Sequence, residues 1–504
     1  MKKFTKFMAA FLCTAVVGTT AAACNFNDGR TVLTIWSCPP LLGNYESTLT
    51  IAPDHRDALV SKYVIETFQE RHPDVRLDIK DQGWGDSLNE NIVRLTGAEQ
   101  YPDIVGTEVY TQAWIDMGYL APIDLPDDMK ADLLPSPLVG NTVGDDVYAV
   151  PVMTNTFDFI YNENILKNAG CPTQLNIETG EMEVVPPATI RELIYCVNRV
   201  EAYFDRLYGP RTSNGTSTRD EYGAFNILNQ QGVGGGFRAL QYLRMAGGDF
   251  VKEESVGKLI GPEDVDLNTD AAKNAFTLMR TLEEVSPFGT ASETTQSAIT
   301  NALLNSKVAM TIEHPTFILD APASADLRTA PMPVFSGEKD ANGMYDMTPF
   351  AYTANNRDTA AKQPIGNVMV GNICYAIPAK AKQPELALDF IKLMLEPETQ
   401  EVVMHYEARF PTTKTALEAV AESDDPVVQA NISMAQYSYQ MLMDTYREED
   451  PVVINGGLPC WSKNQYDIWT AYKSFTRDLY DYTGSINLSE LLSGLNETIK
   501  GSLA

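Results

Sequence analysis

"VRLDIKDQGWGDSLNENIVRLTGAEQYPDIVGTE", residues 75–108, decides the fold. Val75, Leu77 and Ile79 alternate with polar residues, the two-residue period of a strand. Leu88, Ile92, Val93 and Leu95 then recur at helical spacing, with Asp86 or Ser87 able to start the helix and Gly97 to end it. "PDIV" follows as a second strand. Upstream, "TVLTIWS" (31–37) is a β-branched and aromatic run that predicts a buried strand. "DALVSKYVIETFQERHP" (57–73) predicts a helix with Val60, Tyr63, Val64 and Phe68 on one face, capped by Asp57 and stopped by Pro73. Downstream, "YTQAWIDMGYLAPID" (110–124) predicts a third helix. Strand and helix alternating three times imply a mostly parallel sheet with helices on both faces. Such sheets bind ligands at the carboxyl ends of their strands. The candidate loops are therefore residues 36–38, 83–86 and 106–108.

The rest of the chain continues in α/β style. "YAVPVMTNTFDFIYN" (148–162) predicts two extended runs joined through Thr154-Asn155-Thr156. Pro151 argues for a connection between sheets over a central strand. Residues 174–185 predict a hairpin around Thr179-Gly180. Residues 188–209, 237–248, 268–285 and 384–407 predict helices, the last interrupted at Pro397. Residues 215–236, rich in Gly, Ser and Asn, predict a loop, and residues 367–378 a pair of short strands meeting at Gly371-Asn372. A long polar loop, residues 38–57, follows the first strand.

The chain has 504 residues with 44% hydrophobic and 21% charged residues, ordinary for a globular protein of two or three domains. Its formal net charge of −29 argues against nucleic acid or an anionic bilayer as ligand, since both need basic patches. The seven cysteines include no C-x-x-C pair, so a zinc site has no support. Cys171 and Cys196 flank one excursion and are open either to pairing or to life as buried thiols. No G-x-x-x-x-G-K-[ST] loop or H-E-x-x-H motif occurs. "GVGGGF" (232–237) follows a polar loop instead of a clear strand, which disfavours a dinucleotide site.

The first thirty residues have their own grammar. Lys2, Lys3 and Lys6 precede an apolar run from Phe7 to Val17, then small residues to Ala23. That is a secretory leader, shorter than the roughly 20 residues of a spanning helix. Ala21-Ala22-Ala23-Cys24 resembles the lipobox of bacterial lipoproteins, although Ala21 stands where Leu is usual. The resemblance implies cleavage after residue 23, acylation of Cys24, and a tether over residues 24–30. Several acyl chains on one residue give stable anchoring. The folded body would then lie outside the cytoplasmic membrane.

Seven landmarks fall in one order: "HPDVRLDIK", "GWGDSLNENIVRLTGAEQYPDIV", "GYLAPID", "YAVPVMTNTFDFIYNENILKNAG", "ALLNSKVAMTIE", "NICYAIPAKAKQPELALDFIKLML" and "RFPTTKTALE". This order resembles the family 1 extracellular solute-binding proteins, sugar-binding lipoproteins that feed ABC importers. The similarity runs from Thr31 to about Lys500. It implies a two-lobed periplasmic-binding-protein-like α/β fold of type II, with ligand in a cleft between lobes and the shut form read by a permease. One lobe is expected over residues 31–154 plus 334–397, the other over 155–333 plus 398–504. A monomer without cofactor or metal is expected. The departures are the long first loop, the hairpin at 174–185 and the polar loop near 212–229.

A sugar offers apolar ring faces and a rim of hydroxyls, so its site needs aromatic plates and two-way hydrogen bonders. Trp84, between two glycines after a strand, is the first aromatic candidate. Trp36 ends the first strand and suits core packing at least as well as contact. Asp86 can accept from hydroxyls or cap its helix. Thr107 and Glu108 follow the third strand, where the family makes contacts. Asn155 lies at the crossing. Glu313 follows "VAMTI", and His314 before Pro315 reads as loop structure. Gly371 allows close approach and Asn372 bonds both ways. Trp461 and Trp469 bracket a late helix where the family often places a stacking aromatic, and the choice between them stays open. Arg409 could reach the cleft or form a surface ion pair. Two other classes share these residues. A secreted glycosidase would need two facing carboxylates, for which Asp86, Glu108 and Glu313 are available. A peptide binder would need charged groups for the termini.

Overall fold

The computed structural model describes residues 29–37, 41, 56–83, 85–107, 111–138, 140–212, 215–227, 233–255, 260–289, 301–321, 323–358, 370–447, 471–472, 475–476, 478–480 and 487–504. The expectations for Cys24, Trp84, Glu108, Trp461, Trp469 and the leader lie outside these residues. Asp86 lies in a described helix, but its side chain does not belong to the description.

The opening strands pair as their apolar runs require. Strand β1 (Thr31–Ser37) lies parallel to β2 (Val75–Asp81) over its whole length, and parallel to β3 (Ile104–Thr107) on its other side. After a small hairpin, β4 (Thr142–Val143) with β5 (Asp146–Val147), come β6 (Ala149–Thr156) and β7 (Asp158–Asn162). The predicted excursion is the hairpin β8 (Thr173–Leu175) with β9 (Met182–Val184). Strands β10 (Gly223–Asn226), β11 (Val308–Glu313), β12 (Leu327–Ala330) and β13 (Val370–Ala376) complete the set.

Two main sheets result, ordered β2-β1-β3-β13-β6 and β10-β11-β7-β12. In each, one strand runs against the rest: β13 in the first and β7 in the second. Consecutive residues of β1 and β3 serve opposite faces. Leu33, Ile35 and Ile104 join Val64, Phe68, Phe390 and Val403 in one core. Trp36 and Val105 join Leu88, Ile92 and Trp114 in a second core, continuous with that of the other sheet. Burial on both faces is what a sheet covered by helices on both sides demands. Pro151 is tolerated because β6 is an edge strand and pairs with Cys374 beside a register shift.

Several expectations change. Residues 370–376 form one strand, since Gly371 pairs with Asn155 and Asn372 with Thr154 without a break. The stretch read as a loop contains β10, and a helix already begins at Val233. Parallel pairing with β11 supplies the partner that local sequence does not announce. Gly223 opens β10 because a Cβ there would meet Pro287 Cδ at 2.6 Å. "GVGGGF" thus does follow a strand. Residues 334–358, expected in the first lobe, pack on helix Ile190–Tyr208. Ile190 N donates to Val334 O, Phe350 N to Arg191 O, and Arg357 clasps Glu192 at 2.7 Å. Helix Pro397–Glu407, assigned from residue 398 to the second lobe, packs on helix Arg56–Arg71, and its Gln400 Nε2 donates to Val152 O at 2.6 Å. Cys171 and Cys196 are buried free thiols, with Cys171 Sγ 4.0 Å from Cys196 O.

Candidate functional site

Strand direction brings one edge of each sheet to the same place. β6 ends at Thr156 and β7 begins at Asp158, so only Phe157 separates the two sheets there. On the first sheet the same edge carries Thr107 and, through the reversed β13, Gly371 and Asn372. On the second sheet it carries Asn226 and Glu313, the latter paired in register with Asp158. Loop residues after β11 meet the crossing strand at this junction.

Side-chain amides and hydroxyls dominate the first-sheet half. Thr154 Oγ1 donates to Asn372 Oδ1 at 2.7 Å, and Asn372 Nδ2 donates to Pro137 O at 3.2 Å. Asn155 Nδ2 donates across the junction to Thr316 Oγ1 at 2.9 Å. Asn155 Oδ1 is buried and has no hydrogen-bond partner among the described residues. A buried acceptor left in that state is costly, which makes it conspicuous.

Charge appears on the second-sheet half. Arg238 Nε meets Glu313 Oε2 at 2.7 Å, with both residues buried. Glu313 Oε1 also accepts from His314 N at 3.0 Å. The His314 ring stacks on Phe157 at 4.2 Å, and its Nδ1 lies 2.8 Å from Thr156 O, so Nδ1 carries the proton. Burial pushes the His314 imidazole down to about 4, and it stays neutral at pH 7. Asp158 has hydroxyl neighbours instead: Ser438 Oγ bonds both Asp158 Oδ1 and Thr156 Oγ1. Burial pushes its carboxyl up to about 7, against the pull of the Ser438 and Thr156 hydroxyls.

A second charged group sits where the chain passes between sheets again. Phe410 exchanges both backbone bonds with Thr154. Just before it stands Glu407, whose oxygens lie 3.4 Å from Arg56 Nε and 3.6 Å from Arg409 Nε. Burial, with help from the Asp57 carboxyl, pushes Glu407 up to about 8 against both guanidinium groups.

Of the expected residues, Asn155, Glu313, Gly371 and Asn372 come together at the junction. Trp36 and Thr107 belong to the packing beneath it. Trp36 is 5% exposed in the core, and Thr107 is fully buried with its hydroxyl 3.1 Å from that of Thr111. Arg409 is partly buried and pairs with the buried Glu407. Sequence reasoning missed Arg238. Its signal was an arginine spaced with Gln241, Tyr242 and Met245 on a helix face that is buried. A charge on a buried face implies a partner. Among the described residues no group of three His, Cys, Asp or Glu could hold a metal ion, and no helix is long and apolar enough to cross a membrane. A polar depression of about 650 Å³, lined by Asp270, Lys273 and Asn342, lies apart from these groups on the outer helices of the second sheet.

Comparison with known proteins agrees with this architecture. GacH of Streptomyces glaucescens, solved unliganded and in complex with acarbose, superposes with a TM-score of 0.64 at 18% identity, over 94% of this chain and 98% of that one. T. maritima MalE3 with bound maltose gives 0.65 at 16% identity, over 94% and 99%. These likenesses establish the two-lobed α/β fold. A mannitol-binding protein of Pseudomonas aeruginosa is 32% identical over 142 residues, 26% of this chain and 31% of that relative's length. Residues 63–436 match the family model described as bacterial extracellular solute-binding protein, and the chain therefore belongs to that family.

Proposed function

We propose that the protein captures a sugar, an oligosaccharide in particular, between its two lobes and hands it to the permease of an ABC importer. The observation that carries this reading is the junction where two sheet edges meet over a single residue, Phe157. It is lined by groups that both donate and accept, with Asn155 Oδ1 lacking a donor among the described residues. Such groups answer the hydroxyls of a carbohydrate. Relatives named for acarbose, maltose and mannitol support the same substrate class. The first lobe takes the five-stranded sheet with helices Arg56–Arg71 and Pro397–Glu407, and the second takes the four-stranded sheet with residues 334–358. Crossings fall at Phe157 and after Ala408. Few residues need change φ and ψ to close such lobes. Asn155, Glu313, Gly371 and Asn372 contact the ligand, with Trp84, Asp86, Glu108 and one of Trp461 and Trp469 around it. Cys24 carries the lipid that holds the monomer at the membrane.

Calorimetric titration of the mature protein against oligosaccharides and polyols tests the reading. Micromolar or tighter binding, about −8 kcal/mol, is expected for one of them. Absence of heat with every compound removes the sugar from the proposal. Release of chromophore from an aryl glycoside would instead mark an enzyme.

A further inference from the structure

The β8–β9 hairpin carries an apolar face out into solvent. Thr173 pairs with Val184 and Leu175 with Met182, so these four side chains share one face. Val184 is buried at the root, whereas Leu175 and Met182 are 59% and 48% exposed, and Ile177 at the tip is 91% exposed. Hairpins that face water usually show polar residues on the open side. The element is also held rigid. Glu163 Oε1 accepts from Val184 N at 2.8 Å and pairs with Lys167 at 2.9 Å. At the tip, Asn176 Oδ1 accepts from Glu178 N at 2.9 Å, Asn176 Nδ2 donates to Glu183 at 2.8 Å, and Gly180 supplies the turn with φ +73°. The side chains of Leu175, Ile177 and Met182 are thus presented on a preorganised frame, the condition that lowers the cost of binding.

The charge around this patch selects the partner. Glu178 and Glu181 are exposed at the tip, and Glu183 stands on the reverse face. A second copy of a chain of net charge −29 would set acid against acid, and an anionic lipid surface would be repelled in the same way. A protein surface with an apolar groove edged by lysine and arginine satisfies both features.

We propose that this hairpin is a docking element for such a protein, and we assign that partner to the permease of the importer. The choice of permease rests on the function proposed above, whereas the patch and its acidic rim do not.

The test measures binding of the mature protein, with and without sugar, to its purified permease in lipid discs. Leu175→Ser/Ile177→Ser/Met182→Ser is expected to weaken that binding at least tenfold through faster dissociation. Glu178→Lys/Glu181→Lys is expected to slow association and flatten its salt dependence. Both variants should keep wild-type circular dichroism and sugar affinity. Unchanged permease binding in both variants overturns the proposal, as does a wild type that does not bind the permease. So does wild-type self-association, or adsorption to phosphatidylglycerol vesicles, that the triple serine variant abolishes. A protein that binds no sugar ends the sugar reading alone, because permease binding without sugar still reports on the hairpin.

Discussion

Asp158 and Glu313 face each other in register at the same sheet edge, yet their surroundings differ. Glu313 has the Arg238 guanidinium at 2.7 Å, while Asp158 has the hydroxyls of Ser438 and Thr156. A buried carboxyl can be accommodated by a partner of opposite charge or by keeping its proton, and neighbouring strands here use one solution each. The lesson is that burial does not decide the charge of an acid; the neighbour within reach does. Glu407 shows a mixture, with two arginines nearby and a second carboxyl, Asp57, that opposes them.

The largest expected effect comes from breaking the Glu313 side of the comparison. Arg238→Met leaves a buried carboxylate without its cation and should cost about 3–5 kcal/mol in urea unfolding. The double variant Arg238→Met/Glu313→Leu should recover most of that loss. If the single variant unfolds at the wild-type urea midpoint, the pair contributes nothing and the contrast with Asp158 collapses.

Next is the Asp158 side. Its folded pKa, about 7, lies above the ordinary 3.8, so the native state binds a proton that the unfolded chain has released. The stabilisation is complete below pH 3.8 and is lost as pH rises through about 7. The slope approaches 1.4 kcal/mol per pH unit for one such group. Asp158→Asn should flatten this decline, and a second flattening up to about pH 8 should follow Glu407→Gln. Stability profiles by chemical denaturation at several pH values check both. Identical slopes in wild type and both variants would mean that these acids are not protonated in the fold.

A smaller effect tests the junction without charge. Thr316→Val removes the acceptor of Asn155 Nδ2 and should cost about 1–2 kcal/mol by leaving a buried donor unsatisfied. Sugar affinity should move with it, because Asn155 then loses its fixed orientation. Smallest of all is an exposed control. Arg71 grips Glu396 through contacts of 2.5 and 2.8 Å, but both side chains stand in solvent. Glu396→Gln should cost under about 1 kcal/mol, an effect erased by 1 M salt. A large loss here would undermine the use of burial to rank these pairs.

Legibility followed locality. The helix Arg56–Arg71, strands β1 to β3 and the β8–β9 hairpin were readable because each repeats within a few residues. The position of Asn155 was readable from its place between two extended runs, and that of Glu313 from the end of an apolar strand. Arg238 was not, because its partner lies 75 residues away and nothing nearby calls for a cation. Strand β10 hid among glycines for the same reason: its partner, β11, begins at Val308.

By itself the sequence determined the alternation of strands and helices, the acidic character of the surface and the order of landmarks that defines the family. Those follow from periodicity and composition, which are properties of neighbouring residues. Only the tertiary structure decided that residues 334–358 pack against the helices Ile190–Tyr208 and Asp270–Glu284, that Trp36 and Thr107 are packed beneath the junction, and which buried acid has an arginine. Such outcomes depend on strand register and on the burial of charge between segments far apart in the chain, where pairing energies, not local preference, select the partner.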